Sequence, residues 1–407
     1  MIDEEVRIDS IGRQGGGVAE TADGRVHVAY TLPGERVRIR RDSERGTLLE
    51  IIEPSLDRIA PVCKHFGVCG GCALQHWADA PYLAWKREIV VAALNRAGVE
   101  MAIGAIEPQN KSGRWRAVFH AGRKEKPEAV GFAERRSHRI VEIEECPVLS
   151  PELEKSLPVA RELAAILAPT GKPLDLHFTH TGSLDIDIRG PGKLPEKIEA
   201  KLVAFAAKKV LPRISLHGVP VTQVSAPGLK IGRAFVKLPP GPFLQATHDA
   251  ERALGEKVLA AANGAKTAMD LFCGIGTFAL RLAEKAKVAA FDSDLRAIAA
   301  LNEAAKAPGL KPVNASVRDL FRWPLVADEL RKFDFVVLDP PRQGAEAQCR
   351  EIAKSKLRRL AYVSCDADTF ARDAKILRDA GFALESVTPV DQFRYSPHVE
   401  VVGVFAR

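Results

Sequence analysis

The chain has 407 residues, of which 46% are hydrophobic and 27% are charged. This composition is ordinary for globular proteins and excludes a disordered, collagen-like or low-complexity chain. Lys and Arg outnumber Asp and Glu by 59 to 52, and the resulting net charge of +7 favours a polyanionic partner. The sequence has no apolar run of about 20 residues, and its acidic beginning lacks the apolar core of a signal peptide. We therefore expect a cytoplasmic protein with no membrane partner.

The first 56 residues are predicted to form a small β-barrel domain, because short alternating runs are separated by turns that contain glycine and proline. In the run VRIRR, the side chains of Arg36, Arg38 and Arg40 share one face of a strand. That face is either a solvated strand surface or a nucleic-acid-binding surface of the kind that OB-like barrels carry.

A group of cysteines follows the predicted barrel. Cys63, Cys69 and Cys72 have the spacing C-x5-C-x2-C, and Cys146 is the next cysteine along the chain. In a reducing cytosol, clustered cysteines favour metal binding or catalysis over disulfides. Four thiolates hold zinc or a [4Fe–4S] cluster with similar geometry, so the spacing alone leaves both metals open.

The middle of the chain is predicted to mix strands and helices, after a helix from about residue 82 to residue 96. Its basic side chains alternate with aromatic ones, which suits phosphate contact and base stacking but also occurs in an exposed charged hairpin. The residues of this basic stretch are Lys111, Arg114, Trp115, Arg116, Phe119, Arg123, Lys124 and Lys126.

From about residue 245, strands and helices alternate in the pattern of a doubly wound parallel sheet. Asp270 ends a strand, and Gly274 and Gly276 then allow a tight turn that a ligand can approach closely. Asp292 ends the next strand, where a carboxylate can accept both hydroxyls of a ribose. The glycines also fit a site for NAD, but a carboxylate just before the turn would repel a pyrophosphate. It suits a cationic ligand, which favours S-adenosylmethionine.

Two reactive groups follow later strands, so neighbouring parallel strands would place Asp339 and Cys365 around one crevice. Amino-group methyltransferases end a similar Asp-Pro-Pro motif in an aromatic residue. Arg342 stands there in this chain, which favours methylation of carbon. A pyrimidine C5 becomes nucleophilic when a thiolate adds at C6, and a base must then remove the C5 proton. We predict Cys365 as the nucleophile and Glu400 as the base, with His398 as the alternative base.

Taken together, these motifs resemble the bacterial RNA uracil-5-methyltransferases, specifically the 23S ribosomal RNA enzymes that carry an N-terminal TRAM domain. The matching segments are spread over nearly the whole chain. They are CKHFGVCGGCALQH at 63–76, GFAERRSHRIVEIEECPVL at 131–149, FLQAT at 243–247, MDLFCGIGTFAL at 269–280, LDPPRQG at 338–344, YVSCD at 362–366 and HVE at 398–400.

The resemblance implies an α/β protein with a Rossmann-like class I methyltransferase domain, which is a doubly wound sheet. It adds an N-terminal TRAM β-barrel that contacts RNA and an α+β central domain. The implied boundaries are 1–56 for the TRAM domain, 57–80 and 108–236 for the central domain with the cysteines, and 81–107 and 237–407 for the methyltransferase domain.

The resemblance also implies roles for individual residues. Cys365 is the nucleophile, Glu400 is the base, and Asp339 lies near the target base. The four cysteines, Cys63, Cys69, Cys72 and Cys146, hold a [4Fe–4S] cluster, with zinc as the alternative. The cofactor-binding residues are Gln245, Asp270, Gly274, Gly276, Asp292, Asp319 and Asp339.

One departure from the family concerns the nucleophile. The family usually continues this motif as Ser-Cys-Asn-Pro, whereas Asp366 follows Cys365 here. The carboxylate of Asp366 would raise the pKa of the neighbouring thiol unless it is paired or points away.

The expected function is S-adenosylmethionine-dependent methylation of C5 of a uridine. The substrate would be 23S rRNA or an assembly intermediate of the large subunit, and the enzyme would act as a monomer. One alternative is the same chemistry on tRNA, against which the TRAM domain and the cysteines argue. Another is a non-catalytic rRNA-binding protein, against which the intact Asp339, Cys365 and Glu400 argue.

Overall fold

The computed structural model describes residues 2–122, 126 and 129–407. Arg123 and Lys124 of the basic stretch lie outside these described residues. Among the helices of the described part, none has the length and apolar character needed to cross a bilayer.

The N-terminal part of the chain forms one six-stranded sheet around a small apolar core that includes Val26, Val37 and Ile39. The strands are β1 (Ile2–Arg7), β2 (Ser10–Ile11), β3 (Gly17–Thr21), β4 (Gly24–Val28), β5 (Arg36–Asp42) and β6 (Arg45–Glu53). Their order in the sheet is β1-β5-β6-β4-β3-β2.

The arginine face predicted for VRIRR lies on β5, with Val37 and Ile39 buried on the opposite side. Its guanidinium groups all form ion pairs with carboxylates of the neighbouring strands β1 and β6. The pairs are Arg36 with Glu5 and Glu53, Arg38 with Glu5 and Glu50, and Arg40 with Asp3.

The next helix, α1 (Asp79–Arg96), buries one face against the C-terminal part of the chain. Its buried residues Tyr82, Lys86, Val90 and Leu94 recur at about one helical turn. After it, the two-residue strand β7 (Glu107–Pro108) joins the edge of the C-terminal sheet.

A second, seven-stranded sheet occupies the middle of the chain, in the order β10-β9-β8-β11-β12-β13-β14. Its strands are β8 (Arg116–Ala121), β9 (Gly131–Ala133), β10 (Ile140–Glu142), β11 (Leu174–His180), β12 (Leu184–Arg189), β13 (Arg213–Leu216) and β14 (Val219–Gln223). The helices of this region are α2 (Pro151–Glu154), α3 (Leu157–Leu167) and α4 (Glu196–Lys209), with a 3-10 turn at Ala168–Thr170. A hairpin of β15 (Gly228–Ile231) and β16 (Ala234–Lys237) follows.

The C-terminal part forms an eight-stranded sheet that agrees with the predicted doubly wound arrangement. Its elements are α5 (His248–Ala261), β17 (Thr267–Leu271), α6 (Ala279–Leu282), β18 (Lys287–Asp292), α7 (Leu295–Ala304), β19 (Val313–Val317), α8 (Ala327–Leu330), β20 (Phe335–Leu338), α9 (Glu346–Lys354), β21 (Arg359–Ser364), α10 (Ala367–Asp379), β22 (Ala383–Asp391) and β23 (Glu400–Ala406). The order is β19-β18-β17-β20-β21-β23-β22-β7.

Helices cover both faces of this sheet. Side chains of α5, α6 and α7 belong to the core on one face, and side chains of α1, α8, α9 and α10 belong to the core on the other. The five strands from β19 to β21 run parallel, whereas β23 runs antiparallel to β21. The start of β23 therefore lies beside the carboxyl ends of the parallel strands.

Candidate active site

The turn after β17 is held in a left-handed backbone conformation at both predicted glycines. The φ angle is 51° at Gly274 and 94° at Gly276, a region that favours glycine. A side chain at position 276 would also meet Leu301, because a Cβ there would lie 2.4 Å from its Cδ1. The amide of Gly274 donates a hydrogen bond of 2.9 Å to Asp292 Oδ2, which ties the turn to the end of β18.

Asp270 lies beneath this turn, fully buried, and not among the residues that line the cavity above it. Its Oδ2 accepts a hydrogen bond of 2.7 Å from the amide of Ala279 at the start of α6. Its Oδ1 has no hydrogen-bond partner within the described residues. Burial raises the pKa of Asp270 well above its usual value. The carboxyl group therefore fastens the turn to α6.

A cavity of about 700 Å³ opens above the carboxyl ends of the parallel strands. Arg114 and Arg116 of the basic stretch also line it. Gly276 lies behind its wall with Asp270. The predicted site residues that line the cavity are Gln245, Gly274, Asp292, Asp319, Asp339, Cys365 and Glu400.

One end of the cavity combines carboxylates with aromatic rings. Asp319 accepts hydrogen bonds from the amides of Phe321 and Arg322, at 3.0 and 3.2 Å. The Phe321 ring lies 5.2 Å from the ring of Phe272, centroid to centroid. These two phenylalanines were not predicted as site residues. Together with Asp292, they line this end of the cavity with both apolar and polar groups.

The other end brings together the three predicted catalytic residues. Ser364 pairs with Val401 across β21 and β23, so Cys365, which directly follows β21, lies near Glu400 at the start of β23. Asp339 follows the adjacent parallel strand, β20. All three line the cavity. Burial, followed by the charge of Asp339, raises the pKa of Glu400 to about 8. Burial, followed by the charge of Asp292, raises the pKa of Asp339 to about 7.

The thiol of Cys365 also binds its proton tightly. Burial and then the charges of Glu400 and Asp339 raise its pKa to about 11, although Arg342 acts in the opposite direction. The site therefore accumulates unfavourable negative charge when it is deprotonated, and a cation in the cavity would relieve it. This is the electrostatic environment that suits a positively charged ligand.

Asp366 does not perturb the thiol in the way its position in the sequence suggested. Its Oδ1 accepts hydrogen bonds from the amides of Asp368 and Thr369, at 3.1 and 3.0 Å, as the N-cap of α10. The carboxylate is thus engaged by the start of the helix. It is not among the charges that raise the pKa of Cys365.

His398, the alternative base, is less well placed than Glu400. It does not line the cavity, and its Nε2 lies 3.1 Å from a guanidinium nitrogen of Arg342. Because Arg342 can only donate, His398 Nε2 is the acceptor. Burial and the charge of Arg342 lower the pKa of His398 to about 4.

Gln392 belongs to the site, although no motif in the sequence pointed to it. It is buried on the segment between β22 and β23, and it lines the cavity. Its Nε2 donates a hydrogen bond of 2.6 Å to Glu400 Oε2 and one of 2.9 Å to Gln245 Oε1. No spacing rule predicts such a contact, because Gln392 lies outside every regular element of the chain.

The four cysteines predicted to bind metal line a second cavity of about 330 Å³. Arg114 and Arg116 line both cavities, so the two are neighbours. Within the described residues, no group of three or more His, Cys, Asp or Glu side chains is arranged to hold a metal ion. Burial raises the pKa of Cys72 to about 11 and that of Cys146 to about 12.

The parallel sheet, the glycine turn and the ligand cavity at its carboxyl edge define a Rossmann-like methyltransferase. Residues 232–407 match the family described as tRNA (Uracil-5-)-methyltransferase. An uncharacterized RNA methyltransferase of Brucella suis biovar 1 is 46% identical over 405 residues, covering 99% of this chain and 98% of its own. One from Caulobacter vibrioides is 48% identical over 415 residues, covering 99% and 100%.

Among solved structures, the fold is similar to that of the Pyrococcus abyssi tRNA (uracil-54, C5)-methyltransferase in complex with S-adenosyl-L-homocysteine. The TM-score is 0.78 at 22% identity, with 99% of each chain covered. The chain belongs to the S-adenosylmethionine-dependent RNA methyltransferases, and its residues 232–407 match the uracil-5 family model. The predicted fold class and the predicted class of enzyme are thereby confirmed.

Proposed function

We propose that this protein methylates C5 of a uridine in 23S rRNA, as a monomer in the cytoplasm. The observation that carries the proposal is the convergence of Cys365, Glu400 and Asp339 on one cavity beside the glycine turn. These are the groups that a covalent route to 5-methyluridine requires.

The residues around the cavity fit S-adenosylmethionine. Asp292 would bind the ribose, and Asp319 would lie near the adenine, between the walls that Phe272 and Phe321 provide. Gln245 and Asp339 would face the remainder of the cofactor. When bound, the cofactor supplies a methyl group on a cationic sulfonium, and the carboxylates that line this cavity suit that charge.

The reaction proceeds through Cys365. Its thiolate would form a bond to C6 of the uracil, and the electron pair of the C5=C6 bond would make C5 nucleophilic towards the methyl group that the bound cofactor would supply. The electrons of the broken sulfur–methyl bond would stay on the sulfur of the cofactor. Glu400 then removes the C5 proton. The C5–H electron pair restores the C5=C6 bond, and the bond between sulfur and C6 breaks with its electrons on Cys365. Asp339 lies beside the target base throughout.

We infer that the four cysteines hold a [4Fe–4S] cluster. They line one cavity of about 330 Å³. Four thiols around one cavity supply the ligand number that either a [4Fe–4S] cluster or zinc takes, and the resemblance of the motifs favours the cluster. The amide of Gly71 donates to Cys69 Sγ at 3.4 Å, a contact that stabilises a thiolate ligand. The cluster would tie the loop at residues 63–72 to Cys146 and so has a structural role.

The domain boundaries of the proposal are 1–56 for a TRAM domain, 57–80 and 108–236 for a central domain, and 81–107 and 237–407 for the methyltransferase domain. The six-stranded sheet ends at Glu53, which supports the first boundary. The contacts of α1 and β7 with the C-terminal sheet support assigning residues 81–107 to the catalytic part.

A second candidate substrate is tRNA. The matching family model and the similar Pyrococcus abyssi structure both carry tRNA in their names. The fold of that tRNA enzyme covers 99% of this chain, so the N-terminal sheet does not separate the two substrates. The choice of rRNA rests on the motifs at residues 63–76 and 131–149, which resemble those of the 23S rRNA enzymes.

The function is tested by incubating the purified protein with tritiated S-adenosylmethionine and unmodified 23S rRNA, followed by nucleoside analysis. Labelled 5-methyluridine in rRNA is the expected result. Cys365→Ala should abolish methyl transfer, and Glu400→Gln should accumulate a covalent RNA adduct because the C5 proton stays in place. Cys349→Ala is the matched control, since this cysteine is buried in α9 far from the cavity lining.

Label found in tRNA and not in rRNA would replace the rRNA substrate by tRNA. Normal turnover by Cys365→Ala would contradict the covalent mechanism. If Glu400→Gln turned over at the normal rate without an adduct, Glu400 would not be the base. Cofactor binding without label in either RNA would favour a non-catalytic rRNA-binding protein.

The cluster is tested by iron and sulfide analysis of protein purified without oxygen. We expect about four of each per chain. Cys72→Ser should lose them, and Cys273→Ser should not, because Cys273 packs in the methyltransferase core. Zinc in place of iron, or iron retained in Cys72→Ser, would contradict the assignment.

A further inference from the structure

We propose that Gln392 is a positioning residue that presents one defined oxygen of Glu400 to the C5 proton of the bound uracil. The proposal rests on the proposed function, in which Glu400 is the base. Gln392 itself touches neither reacting atom, so it acts through Glu400.

The orientation of the Gln392 amide is fixed by a backbone group. Its Oε1 accepts a hydrogen bond of 2.9 Å from the amide of Ala246. A backbone N–H can only donate, so the oxygen must face Ala246 and the NH2 group must face away. Both N–H groups then have acceptors, Glu400 Oε2 and Gln245 Oε1. Both N–H donors of the Gln392 amide are thus occupied.

The donor-to-acceptor direction of these hydrogen bonds continues to Asp339, the second carboxyl group of the site. Gln245 Nε2 donates to Asp339 Oδ2 at 3.2 Å. The hydrogen bonds therefore run in one direction from Ala246 through Gln392 and Gln245, and each amide presents a donor to a buried carboxyl group. Because a donor occupies Glu400 Oε2, a proton taken up by Glu400 binds at Oε1.

The segment that carries Gln392 is anchored on both sides. The preceding residue, Asp391, forms a fully buried ion pair of 2.5 Å with Lys86 of α1. The hydroxyl of Tyr82 donates to the other oxygen of Asp391 at 3.0 Å. Lys86 also donates to the carbonyl of Phe393, at 3.1 Å, on the far side of Gln392. The amide of Gln392 is thus held in place by a helix from another part of the chain.

The N–H group of Gln392 also stabilises the charged form of Glu400, which the other surroundings of this carboxyl group disfavour. Burial and Asp339 raise the pKa of Glu400, whereas Gln392 and Arg342 lower it. The thiol of Cys365, at the end of β21, also faces the carboxyl group of Glu400. Removing the donor at position 392 leaves the charged form with one stabilising group fewer, so the pKa of Glu400 should rise further. A smaller fraction of the enzyme then carries the base at neutral pH.

The test follows the covalent adduct with RNA in single turnover, as a function of pH. Gln392→Met keeps the length of the side chain but has no donor. We expect its adduct to decay about tenfold more slowly at neutral pH, which corresponds to a shift of about one pKa unit. The midpoint of the decay should move to higher pH, while RNA affinity and the rate of adduct formation stay unchanged.

Two further variants make the result specific. Gln392→Glu is isosteric and keeps the acceptor for Ala246, but it places a second carboxyl group beside Glu400, so that the two must share a proton and cannot both ionise. Its midpoint should move at least as far. Gln348→Met is the matched control, because Gln348 is also buried and bonds both ends of its amide, here to the backbone of Leu325. Its decay should match that of the unmodified protein.

Failure of the proposal and failure of the proposed function are distinguishable. If Glu400→Gln forms no lasting adduct, the assignment of the base is wrong, whatever Gln392 does. If Glu400→Gln accumulates the adduct but both Gln392 variants decay with the normal rate and midpoint, the role of Gln392 is overturned. Slower formation of the adduct, with an unchanged pH midpoint for its decay, would show a merely structural role for Gln392. Adding Gln392→Met to Glu400→Gln should cause no further slowing of decay.

Discussion

Three side chains at the reacting end of the cavity, Asp339, Cys365 and Glu400, bind their protons more tightly than usual. Burial is the largest cause of the raised pKa in each of them, and the next is a neighbouring negative charge, which is that of Asp292 for Asp339, Glu400 for Cys365 and Asp339 for Glu400. Two carboxyl groups this close titrate as a pair, with protons shared between them. The residues are therefore tuned to a cationic ligand, and the protein alone is not in its reactive protonation state.

The reactivity of Cys365 should show this directly. In protein without RNA, its alkylation by iodoacetamide should rise steadily with pH, since the thiolate is the reacting form and its pKa is raised to about 11. Glu400→Gln should shift the profile to lower pH, because it removes the second cause of the rise. Quantifying the alkylated peptide by mass spectrometry across pH measures both effects. A midpoint at or below about 8.5, the pKa of a free thiol, would contradict this account.

At the scale of the single strand, β5 shows what its sequence pattern could and could not predict. The alternation in VRIRR correctly places Arg36, Arg38 and Arg40 on one exposed face. Their ion-pair partners come from β1 and β6, and that strand pairing is set by the whole sheet. The positive charges on this face of β5 are therefore balanced by carboxylates, and we expect the face to bind phosphate only weakly.

Cations without a carboxylate partner among the described residues lie elsewhere. Arg135 stacks over the ring of Tyr30 at 5.4 Å, and the exposed Arg136 donates to Gln14 at 2.8 Å. Burial and then the charges of Arg135 and Arg45 lower the pKa of Arg136, which indicates that the three guanidinium groups are neighbours. We expect this cluster to contact the RNA backbone more strongly than the face of β5 does.

The comparison of two arginines tests that expectation. Arg136→Gln should weaken RNA binding uniformly across sequences and reduce the slope of log affinity against log salt by about 1, because one phosphate contact is lost. Arg40→Gln should change neither, since Asp3 already balances Arg40. Binding titrations at several salt concentrations measure the slope. Equal losses in the two variants would show that the β5 face contacts RNA after all.

For the molecule as a whole, the sequence predicted the parts of the site that follow from a parallel sheet. Asp292, Asp339 and Cys365 each end a strand, and the carboxyl ends of parallel strands share one edge. Glu400 joins them because the final strand, β23, runs antiparallel to β21 and starts beside those ends. Predictions of this kind need only the order and direction of strands.

The other features of the site depend on contacts between distant parts of the chain, which a local sequence pattern cannot predict. Gln392 meets Gln245 across 147 residues of sequence, on a segment without periodicity. Asp270 belongs to the same sequence motif as the glycine turn. Its carboxyl group nevertheless lies beneath the turn, where it accepts a hydrogen bond from the amide of Ala279 and does not line the cavity. A short motif identifies which residues are present, but only packing decides which way a buried carboxylate points.

The ion pair between Lys86 and Asp391 joins residues that are 305 positions apart. Chains are synthesised from the N-terminus at about 5–20 residues per second, so Asp391 follows Lys86 by roughly 15–60 s. Throughout that interval the first turns of α1 lack their partner, and the wall that holds Gln392 and Glu400 does not exist. The cavity wall that contains Gln392 and Glu400 is therefore complete only after residue 400 has been synthesised and β23 has paired with β21.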